Sequence, residues 1–144
     1  MEDMKTINID KETLKKVCQK FNIKLVVLFG SHASKKGLKK DSDFDIGVFC
    51  ENGKNIIKND LLIIQAFIKV LNNDRLDLVY LNYADPLLLS EIAKNGVLLF
   101  QDRKSRFAEF KITALKRHFD AEKLYRLEDL CLERFLKKRC VNDR

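Results

Sequence analysis

Leu28-Phe29-Gly30-Ser31 is followed, after eleven residues, by Asp43-Phe44-Asp45. A glycine and a serine at a turn suit a phosphate. Glycine lets the backbone approach closely, and serine can cap the following turn, whose free N–H groups and dipole favour an anion, while its hydroxyl adds a donor. Two carboxylates at i and i+2 of a strand point to one side, where they repel each other unless a cation lies between them. Oxygen-only ligands of this kind suit Mg²⁺ or Mn²⁺, ions that take one or two carboxylates and complete their shell with phosphates and water. The chemistry implied is that of a phosphate site facing a metal site.

The elements around these residues must place them. Ile23–Phe29 (IKLVVLF) is an apolar, β-branched run, short for a helix and ended by Gly30, which predicts a buried strand leading into the turn. A second strand from Phe44 onward puts Asp43 and Asp45 on one face and Phe44, Ile46 and Val48 on the other. A carboxylate at position 45 among such neighbours is costly to desolvate without a partner, which favours a metal over a chance acidic turn. Residues 75–81 (RLDLVYL) alternate Leu76, Leu78 and Tyr80 against Asp77, Val79 and Leu81, the pattern of a third strand with Asp77 pointing away from one apolar row.

Helices fill the intervals. Asp10 is a predicted N-cap, with Leu14, Val17, Cys18 and Phe21 on one face. Ile56–Leu71 carries Ile56, Ile57, Leu61, Ile64, Phe67, Ile68 and Leu71, predicting a largely buried helix over the sheet. Asp85 and Pro86 mark a helix start as N-cap and N1, Gly96 a stop, and Val97–Gln101 a short fourth strand. From Asp102 onward there is neither Gly nor Pro. Phe107, Phe110, Ala114, Leu115 and His118, then Leu124, Leu127, Leu130, Cys131 and Phe135, recur at helical spacing, as one long helix or two with a break near Asp120. The expected fold class is α/β (α+β), a small mixed sheet of about four strands with helices packed on it and a helical C-terminus. Residues 1–101 would form the core and 102–144 an extension of the same domain.

At Gly30-Ser31 and Asp43-Phe44-Asp45 the chain resembles the nucleotidyltransferases of DNA polymerase β type, and in its small size it is similar to the minimal nucleotidyltransferase (MNT) antitoxins paired with HEPN-domain ribonuclease toxins. The family spacer is usually ten residues, so the eleven found here imply a one-residue bulge near Lys35-Lys36-Gly37. The resemblance implies a third carboxylate on a later strand, which Asp77 supplies, and it continues through Asp77-Leu78-Val79, Leu81-Asn82, Pro86-Leu87-Leu88 and Asn95-Gly96-Val97-Leu98-Leu99-Phe100. It implies that Gly30 and Ser31 bind nucleotide phosphates, that Asp43, Asp45 and Asp77 hold Mg²⁺, two ions in all, and that Asp77 also acts as base. Its further implications are ATP as substrate, AMP transferred with release of pyrophosphate, and a tyrosine of a cognate HEPN ribonuclease toxin as acceptor. Two other readings stand beside this one: a nucleotidyltransferase for a small molecule of aminoglycoside type, and an antitoxin that inhibits by contact alone. The chain is short for a drug-binding domain, and three intact aspartates argue against a degenerate site.

Composition bounds the rest. At 144 residues and 46% hydrophobic, the chain can bury one core. No apolar run approaches a membrane span, and Met1-Glu2-Asp3-Met4-Lys5 does not open a signal peptide, so a soluble cytoplasmic protein is expected. Cys18, Cys50, Cys131 and Cys140 show no CxxC pairing, which indicates neither zinc nor disulfides; Cys18 and Cys50 fit as core filler and Cys140 as an exposed thiol. Of the net charge of +7, Lys35, Lys36, Lys39 and Lys40 crowd the loop before Asp43, where a triphosphate needs neutralising. Lys137, Lys138 and Arg139 form a cationic helix end. No aromatic interleaving or binding module supports nucleic-acid recognition by either cluster. His32, though beside Ser31, is read as a bystander, and Tyr80, Tyr83 and Tyr125 as structural. The apolar surface after residue 102 exceeds what so small a sheet can cover, so part of it is expected to dock against a partner.

Overall fold

A computed structural model of the chain describes residues 9–34, 43–51, 53 and 56–142. Nine elements run in the order α1 (Lys11–Lys20), β1 (Ile23–Phe29), α2 (Ser31–Ser34), β2 (Phe44–Cys50), α3 (Ile56–Leu71), β3 (Leu76–Tyr80), α4 (Pro86–Asn95), β4 (Val97–Gln101) and α5 (Arg106–Asn142) among the described residues. The four strands form one mixed sheet in the order β3-β2-β1-β4. β1 is antiparallel to both β2 and β4, whereas β2 and β3 are parallel, with α3 making the crossover that a parallel pair requires.

Alternation along the strands divides the core in two. Val26, Leu28, Ile46 and Val48 face α1 and α3, where Leu14, Cys18, Ile56, Ile63, Phe67 and Leu71 cover them. Leu25, Val27 and Leu81 face α4 and α5 and meet Leu89, Ile92, Ala93 and Ala114. Both sheet faces are therefore covered, which explains why β1 reads as a continuous apolar run. Cys18 and Cys50 lie in this core and Cys140 is exposed, as the sequence suggests. Burial, reinforced by nearby Cys50, pushes the Cys18 thiol up to about 12, so it packs as an inert apolar group.

Local signals act where expected at two helix starts. The Asp10 carboxylate accepts from the Glu12 N–H at 3.1 Å and the Thr13 hydroxyl at 2.6 Å. Asp85 accepts from the Leu88 N–H at 3.0 Å, with Pro86 in the first turn. α4 ends as the backbone turns extended at Gly96, and the position is glycine for a steric reason: a Cβ there would lie 2.5 Å from Val27 Cγ1 and 2.4 Å from the Ile92 carbonyl oxygen.

α3 differs from the prediction in its face. Its buried side is Ile56, Ile63, Phe67 and Leu71, while Leu61 is 74% exposed. The helix carries more apolar residues than one face can hold, so periodicity alone does not choose among them. The C-terminal region is one continuous helix of 37 residues, about 55 Å at 1.5 Å per residue, with no break near Asp120. Its first half docks through Phe107, Phe110 and Ala114. Residues 123–141 are exposed throughout. No helix among the described residues is long and apolar enough to cross a membrane.

Candidate active site

The site is built at one end of the sheet, where β1 leaves and β2 enters. β1 ends at Phe29, and Gly30 turns the chain with φ +73°, a left-handed value that favours glycine. Ser31 is the first residue of α2 and half-buried, so Gly30 rather than Ser31 flanks the helix. The Gly30 carbonyl accepts from the Ala33 N–H at 3.2 Å, closing the turn.

Asp45 pairs across the sheet with Phe29 on one side and with Asp77 on the other. Residues in register on adjacent strands send their side chains to the same face, so the carboxylates of Asp45 and Asp77 stand side by side on neighbouring strands. Asp43, two residues before Asp45 and just ahead of β2, is exposed, as is Asp77, whereas Asp45 is half-buried. The opposite face of β2 carries Ile46 and Val48 in the core, as the alternation predicts.

Asp45 also touches the turn. A Cβ built on Gly30 would fall 2.0 Å from Asp45 Oδ2 and 2.9 Å from its Cγ. The space over Gly30 is thus filled by the Asp45 carboxylate, which joins the Gly-Ser turn and the acidic strand into one unit. Sequence reasoning gave this glycine only a role in phosphate approach; the contact across strands is invisible to local patterns.

The register that sets Asp45 beside Asp77 is held at both ends by groups that sequence reasoning missed. At the site end, the Arg75 N–H donates to Asn73 Oδ1 at 2.9 Å and the Arg75 carbonyl accepts from the Phe44 N–H at 2.9 Å. At the far end, Asn82 clips β2: its Oδ1 accepts from the Cys50 N–H at 3.1 Å and its Nδ2 donates to the Cys50 carbonyl at 2.6 Å. Behind β3, the Tyr80 hydroxyl donates to Asp60 Oδ1 at 2.5 Å and ties the strand to α3. Burial first, and then the Asp60 carboxylate, push the Tyr80 phenol above its ordinary range, keeping it a donor. The run Asn72-Asn73-Asp74 was the available hint of a built turn before β3.

The donor set fits a hard divalent cation. Asp45 and Asp77 are in register on neighbouring strands, Asp43 precedes them just ahead of β2, and among the described residues none pairs Asp43 or Asp77 with a cation. Among the same residues no three His, Cys, Asp or Glu side chains, these aspartates included, are gathered closely enough to hold an ion by themselves. An ion held by one or two carboxylates and completed by substrate phosphates needs no such cluster. Lys35, Lys36, Lys39, Lys40 and the predicted bulge lie outside the described residues, as does the side chain of His32.

The protein adenylyltransferase MntA of Aphanizomenon flos-aquae (strain 2012/KM1/D3) is 28% identical over 124 residues, covering 81% of this chain and 82% of its own. A crystal structure of a toxin-antitoxin with AMP-PNP superposes with a TM-score of 0.64 at 21% identity, over 85% of this chain and 99% of that one. A structure of the tri-AMPylated Shewanella oneidensis HEPN toxin in complex with MNT antitoxin gives 0.58 at 21% identity, over 84% and 95%. These two likenesses establish the fold. The family described as polymerase beta, nucleotidyltransferase, matches residues 12–105, a span that contains the Gly-Ser turn and all three aspartates. The chain therefore belongs to the polymerase beta type nucleotidyltransferases.

Proposed function

We propose that the protein is a Mg²⁺-dependent protein adenylyltransferase, an antitoxin that neutralises a cognate HEPN ribonuclease toxin by attaching AMP to it. The observation that carries this reading is the register pairing of Asp45 with Asp77, with Gly30 against the Asp45 carboxylate. The name of the Aphanizomenon relative and the toxin complexes among the structural neighbours support the choice of acceptor.

Asp43, Asp45 and Asp77 would hold the magnesium, two ions by family resemblance. When bound, the metal supplies charge neutralisation to the triphosphate and the departing pyrophosphate. The chain's own groups do the rest. Gly30 and Ser31 receive the β- and γ-phosphates, the serine through its hydroxyl and the turn through backbone N–H groups. Asp77, at the edge strand of the sheet, accepts the proton of the incoming tyrosine hydroxyl. The tyrosine oxygen then bonds to the α-phosphorus as the bond from that phosphorus to the bridging oxygen breaks, and pyrophosphate carries away the electron pair. Fixed strands position the groups, and positioning carries much of the rate in phosphoryl chemistry. Residues 102–144 serve as a helical extension of the catalytic core, in a cytoplasmic protein.

Incubation with Mg²⁺, ATP and a cognate HEPN toxin, sought as the product of the neighbouring gene, should add one or more AMP masses to that protein and silence its ribonuclease activity. Full silencing with no added mass would instead establish inhibition by contact. Modification of an aminoglycoside but not of the protein would make the acceptor a small molecule.

A further inference from the structure

The distal half of α5 has no place on the domain. On a helix advancing 100° per residue, Leu124, Leu127, Cys131 and Phe135 form one apolar line. Ala121, Tyr125, Leu132 and Leu136 form a second beside it, continuing the seam through which Phe107, Phe110 and Ala114 dock. Together the lines cover roughly half the circumference, and Leu124, Tyr125, Leu127, Leu132, Phe135 and Leu136 are each more than half exposed. Two charges interrupt the middle of this face, Glu128 and Arg139, and Lys138 ends its first line at the margin. Glu128 and Arg139 are eleven residues apart and so point the same way. The Arg139 guanidinium lies over the Phe135 ring, 5.3 Å from its centroid. Among the described residues neither Glu128 nor Arg139 makes an ion pair, whereas Glu122 and Arg126, on the opposite side, pair at 3.1 Å.

A partner covering this face must bring a cation to Glu128 and an anion to Arg139, in the reverse order along its own axis. The same segment read backwards does this. We propose that the exposed half of α5 pairs antiparallel with that of a second copy of this chain, with Glu128 of each copy against Arg139 of the other. The two-fold axis then falls between Glu133 and Arg134, and Leu132 of each copy meets Phe135 of the other, an isologous contact that closes on two copies. Between residues 125 and 142 this register sets no two charges of like sign at the same level. Antiparallel pairing also sends the two catalytic domains to opposite ends of the rod, leaving both active sites open.

Charge reversal tests the pairing, since both positions lie outside the domain core. By light scattering or sedimentation, the wild-type chain is expected to have twice the chain mass at micromolar concentration. Glu128→Arg alone, or Arg139→Glu alone, places like charges together at both ends and should weaken self-association by roughly tenfold or more. An equal mixture of the two single variants restores every opposite-signed contact and should recover the dimer mass. A monomeric wild type, including one whose helix is covered only by a different protein, would overturn the proposal. So would single variants of undiminished mass, or a mixture that stays monomeric.

Discussion

Asp45→Asn is expected to lower AMP transfer by at least roughly 100-fold, the scale seen when one preorganised charged contact to a reacting phosphate or oxyanion is removed. The folded structure should survive with a stability change within about 1 kcal/mol, because the new side chain has the same shape and the change removes one of two carboxylates held in register. Asp45 is the residue where the parts of the site meet: it pairs with Asp77 across the parallel strands, stands two residues after Asp43, and its carboxylate lies against Gly30. Asp43→Asn should behave alike. Transfer rates from labelled ATP, read beside urea midpoints, separate the two effects. A variant that retains transfer would remove Asp45 from the active centre.

Gly30→Ala should damage both stability and transfer. The left-handed φ of +73° is a conformation that alanine adopts at a cost, and the added methyl would sit 2.0 Å from Asp45 Oδ2. Either the turn moves or Asp45 does. A loss of roughly 1–3 kcal/mol in unfolding free energy is the scale for such strain. Transfer should fall toward the level of Asp45→Asn, since displacing the carboxylate is nearly equivalent to neutralising it. If denaturant melts show the strain but the rate is unchanged, the contact between turn and acidic strand serves folding only.

Much of this site could be read from the chain because its parts are local. The IKLVVLF run, the Gly-Ser turn, the alternation after Asp43 and the Asp85-Pro86 start each depend on neighbours within a few residues, and each forms where local chemistry places it. The Asp77 strand was legible for the same reason, two residues longer in the sequence than in the sheet. What escaped is long-range. The Asn82 clip spans 32 residues of sequence, and the filling of Gly30's space by Asp45 exists only once β1 and β2 pair. The buried face of α3 escaped because an apolar surplus leaves the choice of side to tertiary packing, which turned Leu61 outward. Helix α5 shows the reverse case. Its pattern gives a helix without saying where support ends, and the sheet is too small to reach past residue 122.

The most direct test of the central claim, that Asp43, Asp45 and Asp77 form one metal-nucleotide centre beside Gly30 and Ser31, uses Mn²⁺ as a paramagnetic stand-in for magnesium. In backbone amide spectra of the protein with ATP present, substoichiometric Mn²⁺ should broaden the resonances of these five residues first. Broadening that begins elsewhere, for example at Glu128 and Asp129 on the exposed helix, or that leaves Asp45 and Asp77 sharp, would contradict it.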